Sequence, residues 1–90
     1  MKLYLIHAGF YDEKISNGIY ESHANYFLAA KDLSEAKTKA KKIKEFKEKK
    51  MHIDGIIEVT NVDGYDIILE AKGNRNGLKQ FSHSEIKILK

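Results

Sequence analysis

The sequence contains no cysteine, no proline and no tryptophan, and its one arginine is Arg75. Without cysteine the chain can form no disulfide, no thiolate metal site and no cysteine nucleophile, which fits a reducing compartment and predicts a cytoplasmic location. Arginine is the side chain that most often forms bidentate hydrogen bonds to phosphates and bases, and the sequence has only one. No apolar run approaches the roughly 20 residues of a membrane span, so we expect no membrane partner.

The composition that remains is that of an ordinary globular protein. Apolar residues make up 42% and charged residues 32% of the sequence, so the composition is too apolar for a disordered chain. A chain of 90 residues is also too short to form two hydrophobic cores. We therefore expect a single domain over 1–90. The apolar start, Met1 to Ala8, has no small-residue cleavage site after it, so it predicts a first strand and not a signal peptide.

The segment from His52 to Glu70 is the clearest structural signal in the chain. Asp63-Gly64 is a two-residue loop that tolerates positive φ at both positions, as a type I′ turn requires, and β-branched residues flank it on both sides. We therefore predict a β-hairpin in which Val62 opposes Tyr65 and whose arms extend from residue 56 to residue 69.

The other elements follow from hydrophobic periodicity and capping signals. Alternation predicts strands over Lys2–Ala8, inside the sheet, over Ile19–Ala30 and over Ser84–Lys90, while helical spacing after the cap at Asp32 predicts one helix over Leu33–Lys49. The expected fold class is α+β, a small and mostly antiparallel sheet in the order β-β-α-β-β-β with one helix on one face. The tail over 71–90 is expected to be a loop and a short C-terminal strand.

The first strand and the hairpin are apolar on both faces, although one helix can cover only one face of a sheet. Another subunit, the tail, or the loop before the second strand must cover the other face. On this ground we expect a homo-oligomer, most simply a dimer.

Two short polar motifs form the first candidate site. Glu21 and His23 are two residues apart on one strand, and His52 and Asp54 are two residues apart at the start of another, so each pair shares a face. If the two strands lie side by side, two imidazoles and two carboxylates converge, a set that suits a divalent transition metal or a proton-transferring pair. In the alternative interpretation, His52 and Asp54 bond to loop backbone while Glu21 and His23 lie on a half-exposed face.

The hairpin turn is the second candidate. An exposed Asp63 beside Tyr65 could bind a ligand. Turn chemistry alone also demands Asp-Gly at this place, and Tyr65 opposite Val62 is a good cross-strand pair without any ligand.

The lysine-rich segment is the third candidate. Residues 31–50 contain nine lysines against four acidic residues, an excess of +5, so the rest of the chain carries −2. Lys37, Lys41 and Lys44 could attract a phosphate backbone. Lysine is also a good helix former on a solvated face, and the segment offers no aromatic platform for bases.

Three motifs carry a resemblance to a known family. With its Glu21-Ser22-His23, His52-Ile53-Asp54 and Val62-Asp63-Gly64-Tyr65, the chain resembles the bacterial family filed as domain of unknown function 1543 over roughly residues 1–70. The resemblance implies no established activity.

The sequence thus favours a binding or interaction module of unknown ligand. The first alternative is a small metal-dependent or His/carboxylate enzyme, and the second is a weak nucleic-acid binder that uses the lysine-rich helix. No catalytic residue and no cofactor is assigned, although the polar motifs leave room for a divalent metal.

Overall fold

The computed structural model describes residues 1–73 and 77–90, and it has the α+β fold that the sequence predicts. The described strands are β1 (Lys2–Tyr11), β2 (Glu21–Ala30), β3 (His52–Val59), β4 (Asn61–Val62) and β5 (Tyr65–Asp66). The described helices are α1 (Glu13–Ser16), α2 (Leu33–Lys41), α3 (Lys44–Glu48) and α4 (His83–Lys87).

Strand β1 is the centre of an antiparallel sheet with the order β2-β1-β3, which confirms the prediction that it lies inside the sheet. It pairs with β2 along its whole length, from Lys2 opposite Ala30 to Tyr11 opposite Glu21. The prediction that this strand ends at Ala8 is therefore wrong. The strand continues to Tyr11 because the far end of β2 supplies it with a partner.

The core lies under one face of this sheet. Tyr4, Ile6, Ala8 and Phe10 alternate along β1 on that face and are at most 5% exposed. Ala36 and Ala40 of α2 are fully buried against Tyr4 and Ile6, since small side chains let a helix lie close to a sheet. Helices α2 and α3 thus cover this face of the sheet.

The predicted helix over Leu33–Lys49 is broken into two. Asp32 caps α2 as expected, accepting a hydrogen bond of 2.8 Å from the Glu35 amide, but Ile43 is extended, with φ −62° and ψ 130°. In a continuous helix Phe46 would point about 80° away from Ala36, because each residue turns the chain by about 100°. The break lets Phe46 pack instead with Ala8, Phe10 and Met51.

The Asp63-Gly64 turn is confirmed. Both residues have positive φ, 53° and 85°, and Val62 pairs with Tyr65. A backbone hydrogen bond of 2.9 Å from Ile67 to Thr60 extends the hairpin by one step.

The long arms predicted for this hairpin are wrong beyond that step. Val59, Glu58 and Ile57, which belong to the first predicted arm, pair with Leu3, Tyr4 and Leu5 of β1 and not with the chain after Asp66. β3 therefore belongs to the main sheet, and in the described residues the chain after Asp66 forms no further strand.

The predicted last strand over Ser84–Lys90 is also wrong. Residues His83–Lys87 form helix α4, which Ser82 caps by accepting a hydrogen bond of 3.3 Å from the Glu85 amide. No residue of α4 is buried. The radius of gyration is 15.9 Å, against about 12 Å for a compact chain of this length, and apolar residues of the C-terminal part such as Leu78 and Leu89 are exposed.

None of the helices in the described ranges is both long and apolar enough to cross a membrane.

A histidine and carboxylate cluster on the open face of the sheet

No helix in the described residues covers the second face of the sheet. Along β1 it carries Leu3, Leu5, His7, Gly9 and Tyr11, the residues that alternate with the buried ones. The pairing registers place them in rows across three strands: Phe27–Leu5–Ile57, then Asn25–His7–Gly55, then His23–Gly9–His52. The first row is apolar and the last is polar, so this open face has an apolar half and a polar half.

The four predicted site residues converge in the polar half. His23 Nε2 lies 2.8 Å from Glu21 Oε1 and 3.0 Å from Asp54 Oδ2. His52 Nε2 lies 3.4 Å from Glu21 Oε1 and 3.0 Å from Asp54 Oδ1. Each imidazole therefore contacts both carboxylates, and the side chains remain 30–47% exposed.

Strands β2 and β3 are not neighbours, however, because β1 runs between them. The side chains meet because the residue of β1 beneath them is Gly9. A Cβ atom at this position would contact Glu21 Oε1 and would lie 2.6 Å from both Asp54 Oδ2 and His52 Nε2. The space that a side chain would occupy at the centre of the sheet is thus filled by the cluster.

A β-bulge brings Asp54 to this face. The register between β1 and β3 shifts between His7 and Ala8: Gly55 pairs with His7 and Ile53 pairs with Ala8, which leaves Asp54 as the extra residue. The bulge lets Asp54 reach the cluster while Ile56, two residues on, packs against the core. Bulges commonly re-aim a side chain in this way.

Three further residues of the site were missed in the sequence. The His7 ring stacks on the His23 ring, with centroids 4.7 Å apart and planes 9° apart. His7 Nδ1 lies 2.8 Å from Asn25 Oδ1. The Tyr11 hydroxyl donates a hydrogen bond of 3.2 Å to Glu21 Oε2. The alternation from Leu3 through Leu5 to His7 places this histidine on the same face as the two leucines, but it does not predict which two strands lie beside β1.

The cluster perturbs its own ionisable groups. Desolvation acts to raise the pKa of Asp54, but the side-chain hydrogen bond with Glu21 and the positive charge of His52 and His23 outweigh it, so the pKa of Asp54 is lowered. The hydrogen bond to Glu21 and the charge of that carboxylate raise the pKa of Tyr11. The Asp54 carboxylate is therefore held ionised, and Tyr11 is held as a donor.

Imidazole nitrogens and carboxylate oxygens are the ligands that divalent transition metals take in proteins. Around a zinc-sized ion with bonds of about 2.0–2.1 Å, neighbouring ligand atoms in a tetrahedron lie about 3.4 Å apart. The four contacts of 2.8–3.4 Å in the cluster are close to that spacing, although they use both oxygens of Asp54, and the ligand atoms that lie within 4.8 Å of one another form two groups of three residues. Small movements of four exposed side chains would admit an ion.

The turn candidate shows the contacts that turn chemistry requires. The Gly64 amide donates a hydrogen bond of 3.1 Å to Asn61 Oδ1, and Asn61 Nδ2 donates one of 3.0 Å to Asp66 Oδ1. Tyr65 is 74% exposed. The structure brings Asp63 and Tyr65 to the tip of the hairpin, apart from the cluster, and ligand binding there stays a prediction.

Lys37, Lys41 and Lys44 are all exposed. The break between α2 and α3 separates Lys44 from the other two, and Lys44 lies 3.8 Å from Glu48. Lys37 also lines an open groove of about 670 Å³ with Leu33, Ser34 and Ile56. None of the four cluster residues lines this groove, and nucleic-acid binding by the lysines stays a prediction.

The fold and the site define a small α+β domain with a histidine and carboxylate cluster on an open antiparallel sheet. Residues 18–69, more than half of the chain, match the family model described as Domain of Unknown Function (DUF1543). The chain belongs to this family. The match contains all four cluster residues of β2 and β3 and excludes β1, with His7 and Gly9. No curated protein and no solved structure matches the chain.

Proposed function

We propose that this protein is a binding module for divalent transition metal, with Glu21, His23, His52 and Asp54 as the ligands. One observation carries the proposal: side chains from two strands that are not neighbours reach across Gly9 and place two imidazole nitrogens on the same two carboxylates.

The charges favour a metal over a set of simple ion pairs. Two carboxylates and two neutral imidazoles together neutralise one divalent ion. Exposed ion pairs alone contribute only about 0–1 kcal/mol each to stability. That stabilisation is too small to explain why the central strand has a glycine, Gly9, beneath these side chains. Two imidazoles in the set favour Zn²⁺, Ni²⁺ or Co²⁺ over Mg²⁺ or Ca²⁺, which prefer oxygen ligands. The same groups could transfer protons, and an enzyme remains the alternative to a binding module.

Stripping the protein with a chelator and then adding Zn²⁺, Ni²⁺ or Co²⁺ is expected to raise its melting temperature. An ion at 100 times its dissociation constant adds about 2.7 kcal/mol to the free energy of unfolding, which corresponds to roughly 10 °C or more for a domain of this size. His23→Ala and His52→Ala should each weaken binding in calorimetry by at least tenfold, since losing even an outer partner of a ligand costs about 10–100-fold.

His83→Ala is the matched control, because this histidine lies on α4, outside the cluster. It should leave both the melting shift and the affinity unchanged. A wild-type protein that shows neither heat of binding nor a melting shift with any of the three ions would remove the proposal. Equal affinity loss in the His83 variant would show that binding is not specific to the cluster.

We also propose that the apolar half of the open face is covered by a second copy of the chain. Phe27 is 68% and Ile57 is 57% exposed, with Leu5 between them. The sequence also allows the loop before β2 or the C-terminal tail to cover this half. In the described residues neither does so, since Ile19 in that loop is 69% exposed and α4 in the tail has no buried residue. At about 3.4 Å per residue, Phe27 is about 14 Å from His23 along β2, so contact at the apolar half leaves the cluster accessible.

Light scattering at tens of micromolar is expected to give about twice the chain mass of 10.3 kDa. Phe27→Glu should return the mass to that of one chain, because a buried unpaired charge in a contact is costly. Ile19→Glu, an equally exposed apolar residue outside the sheet, should leave the mass unchanged. A wild-type mass of one chain would refute the dimer.

A further inference from the structure

We infer that the cluster binds two ions with Asp54 as the bridge between them, a deduction that rests on the proposed function. The ligand atoms fall into two groups within 4.8 Å of one another: His7, His23 and Asp54 form one, and Glu21, His52 and Asp54 form the other. Asp54 is the member that both groups share.

The orientation of Asp54 suits a bridge. Its Oδ2 atom faces His23 Nε2 and its Oδ1 atom faces His52 Nε2, each at 3.0 Å. A carboxylate that links two metal ions gives one oxygen to each, and in two-metal sites the ions are about 3.5–4 Å apart. The bulge in β3 makes this possible, since it presents both oxygens to side chains from opposite edges of the sheet.

His7 supplies the ligand that the second ion needs. Its Nδ1 atom is 2.8 Å from Asn25 Oδ1, and because an amide oxygen only accepts hydrogen bonds, Nδ1 carries the proton. A neutral ring then has its lone pair on Nε2. A hydrogen bond at the far nitrogen is the partner that metal-ligating histidines usually have. The His7 ring lies parallel to the His23 ring, so one of the two rings must turn for both in-plane lone pairs to reach the same ion.

The two ions are not equivalent in this arrangement. Glu21, His52 and Asp54 bring two carboxylates to one ion, whereas His7, His23 and Asp54 bring a single carboxylate to the other. Two divalent ions also carry more positive charge than the two carboxylates neutralise, so the second ion would bind against a net positive charge. We therefore expect the ion beside His7 to bind more weakly, in a second step.

The test is the number of ions bound per chain. Equilibrium dialysis of the full chain against Co²⁺, with metal and protein both quantified, should give two for the wild type. His7→Phe keeps an aromatic ring beside His23 but has no ligand nitrogen, and it should give one. His83→Phe is the matched control and should give two. His7→Gln repeats the loss of the imidazole with a polar side chain, and circular dichroism checks that each variant is folded.

The outcomes separate this inference from the proposal on which it rests. Two ions in the wild type and one in both His7 variants would support it. A single ion in the wild type, or two in a folded His7 variant, would overturn the bridged pair and leave a metal-binding module. No bound ion in the wild type would remove both.

Discussion

Gly9→Ala is expected to reduce the metal affinity of the protein by at least 100-fold without unfolding it. The added Cβ would lie 2.6 Å from both Asp54 Oδ2 and His52 Nε2 and would also contact Glu21 Oε1, all well inside van der Waals distance. Each of these atoms is the far end of a flexible side chain, so the cluster would spread apart while the backbone stayed in place. Three of the four ligands of the proposed ion would then be displaced together.

Stability and binding should therefore change independently in this variant. Removing a glycine from a strand lowers the conformational entropy lost on folding, so the free energy of unfolding without metal should stay within about 1 kcal/mol of the wild type. Denaturant titration in a chelator measures that quantity, and calorimetry with Zn²⁺ measures the affinity.

Gly55→Ala is the matched control for Gly9→Ala. It adds the same methyl group on the adjacent strand, where a Cβ would meet nothing within 4 Å. Its metal affinity should equal that of the wild type. A Gly9→Ala protein that binds metal as tightly as Gly55→Ala would show that the space above Gly9 is not needed by the site.

The importance of Gly9 also shows how far the site could be predicted from the sequence. The spacing of Glu21 and His23, and of His52 and Asp54, predicts that each pair shares a face, and in the structure the two pairs lie in contact. The order of the strands depends on long-range pairing, which local patterns do not contain. The prediction of a shared site assumes that the two strands are adjacent. The side chains meet instead across β1, because β1 presents Gly9 at that point.

The fold divides in the same way between local and long-range causes. The turn at Asp63-Gly64 and the cap at Asp32 depend on residues within a few positions, and both are as predicted. The partner of β3 depends on competition between β1 and the chain after Asp66. In the structure β3 pairs with β1, whose Tyr4, Ile6, Ala8 and Phe10 are buried, whereas Ile68 is 82% exposed. The break at Ile43 likewise depends on where Phe46 packs into the core, which helical periodicity does not predict.

That core makes Ile6→Ala the substitution with the largest expected effect on stability. Ile6 is fully buried in the centre of β1 and packs with Tyr4, Ala36 and Ala40. Deleting buried Ile or Leu side chains typically costs about 2–5 kcal/mol, and more where the surroundings cannot collapse into the cavity. The alanines opposite Ile6 have no rotatable side chain that could fill the space, so we expect about 3–4 kcal/mol. A domain of this size has roughly 5–10 kcal/mol in total.

Ile57→Ala provides the comparison, because it deletes the same atoms from the same sheet on the opposite face. Ile57 is 57% exposed, and its loss should cost less than about 1 kcal/mol. Urea denaturation of both variants in a chelator, at one low protein concentration, removes metal and limits association. Similar losses of stability in the two variants would mean that the open face is as well packed as the helix-covered face, which would contradict the position assigned to the core.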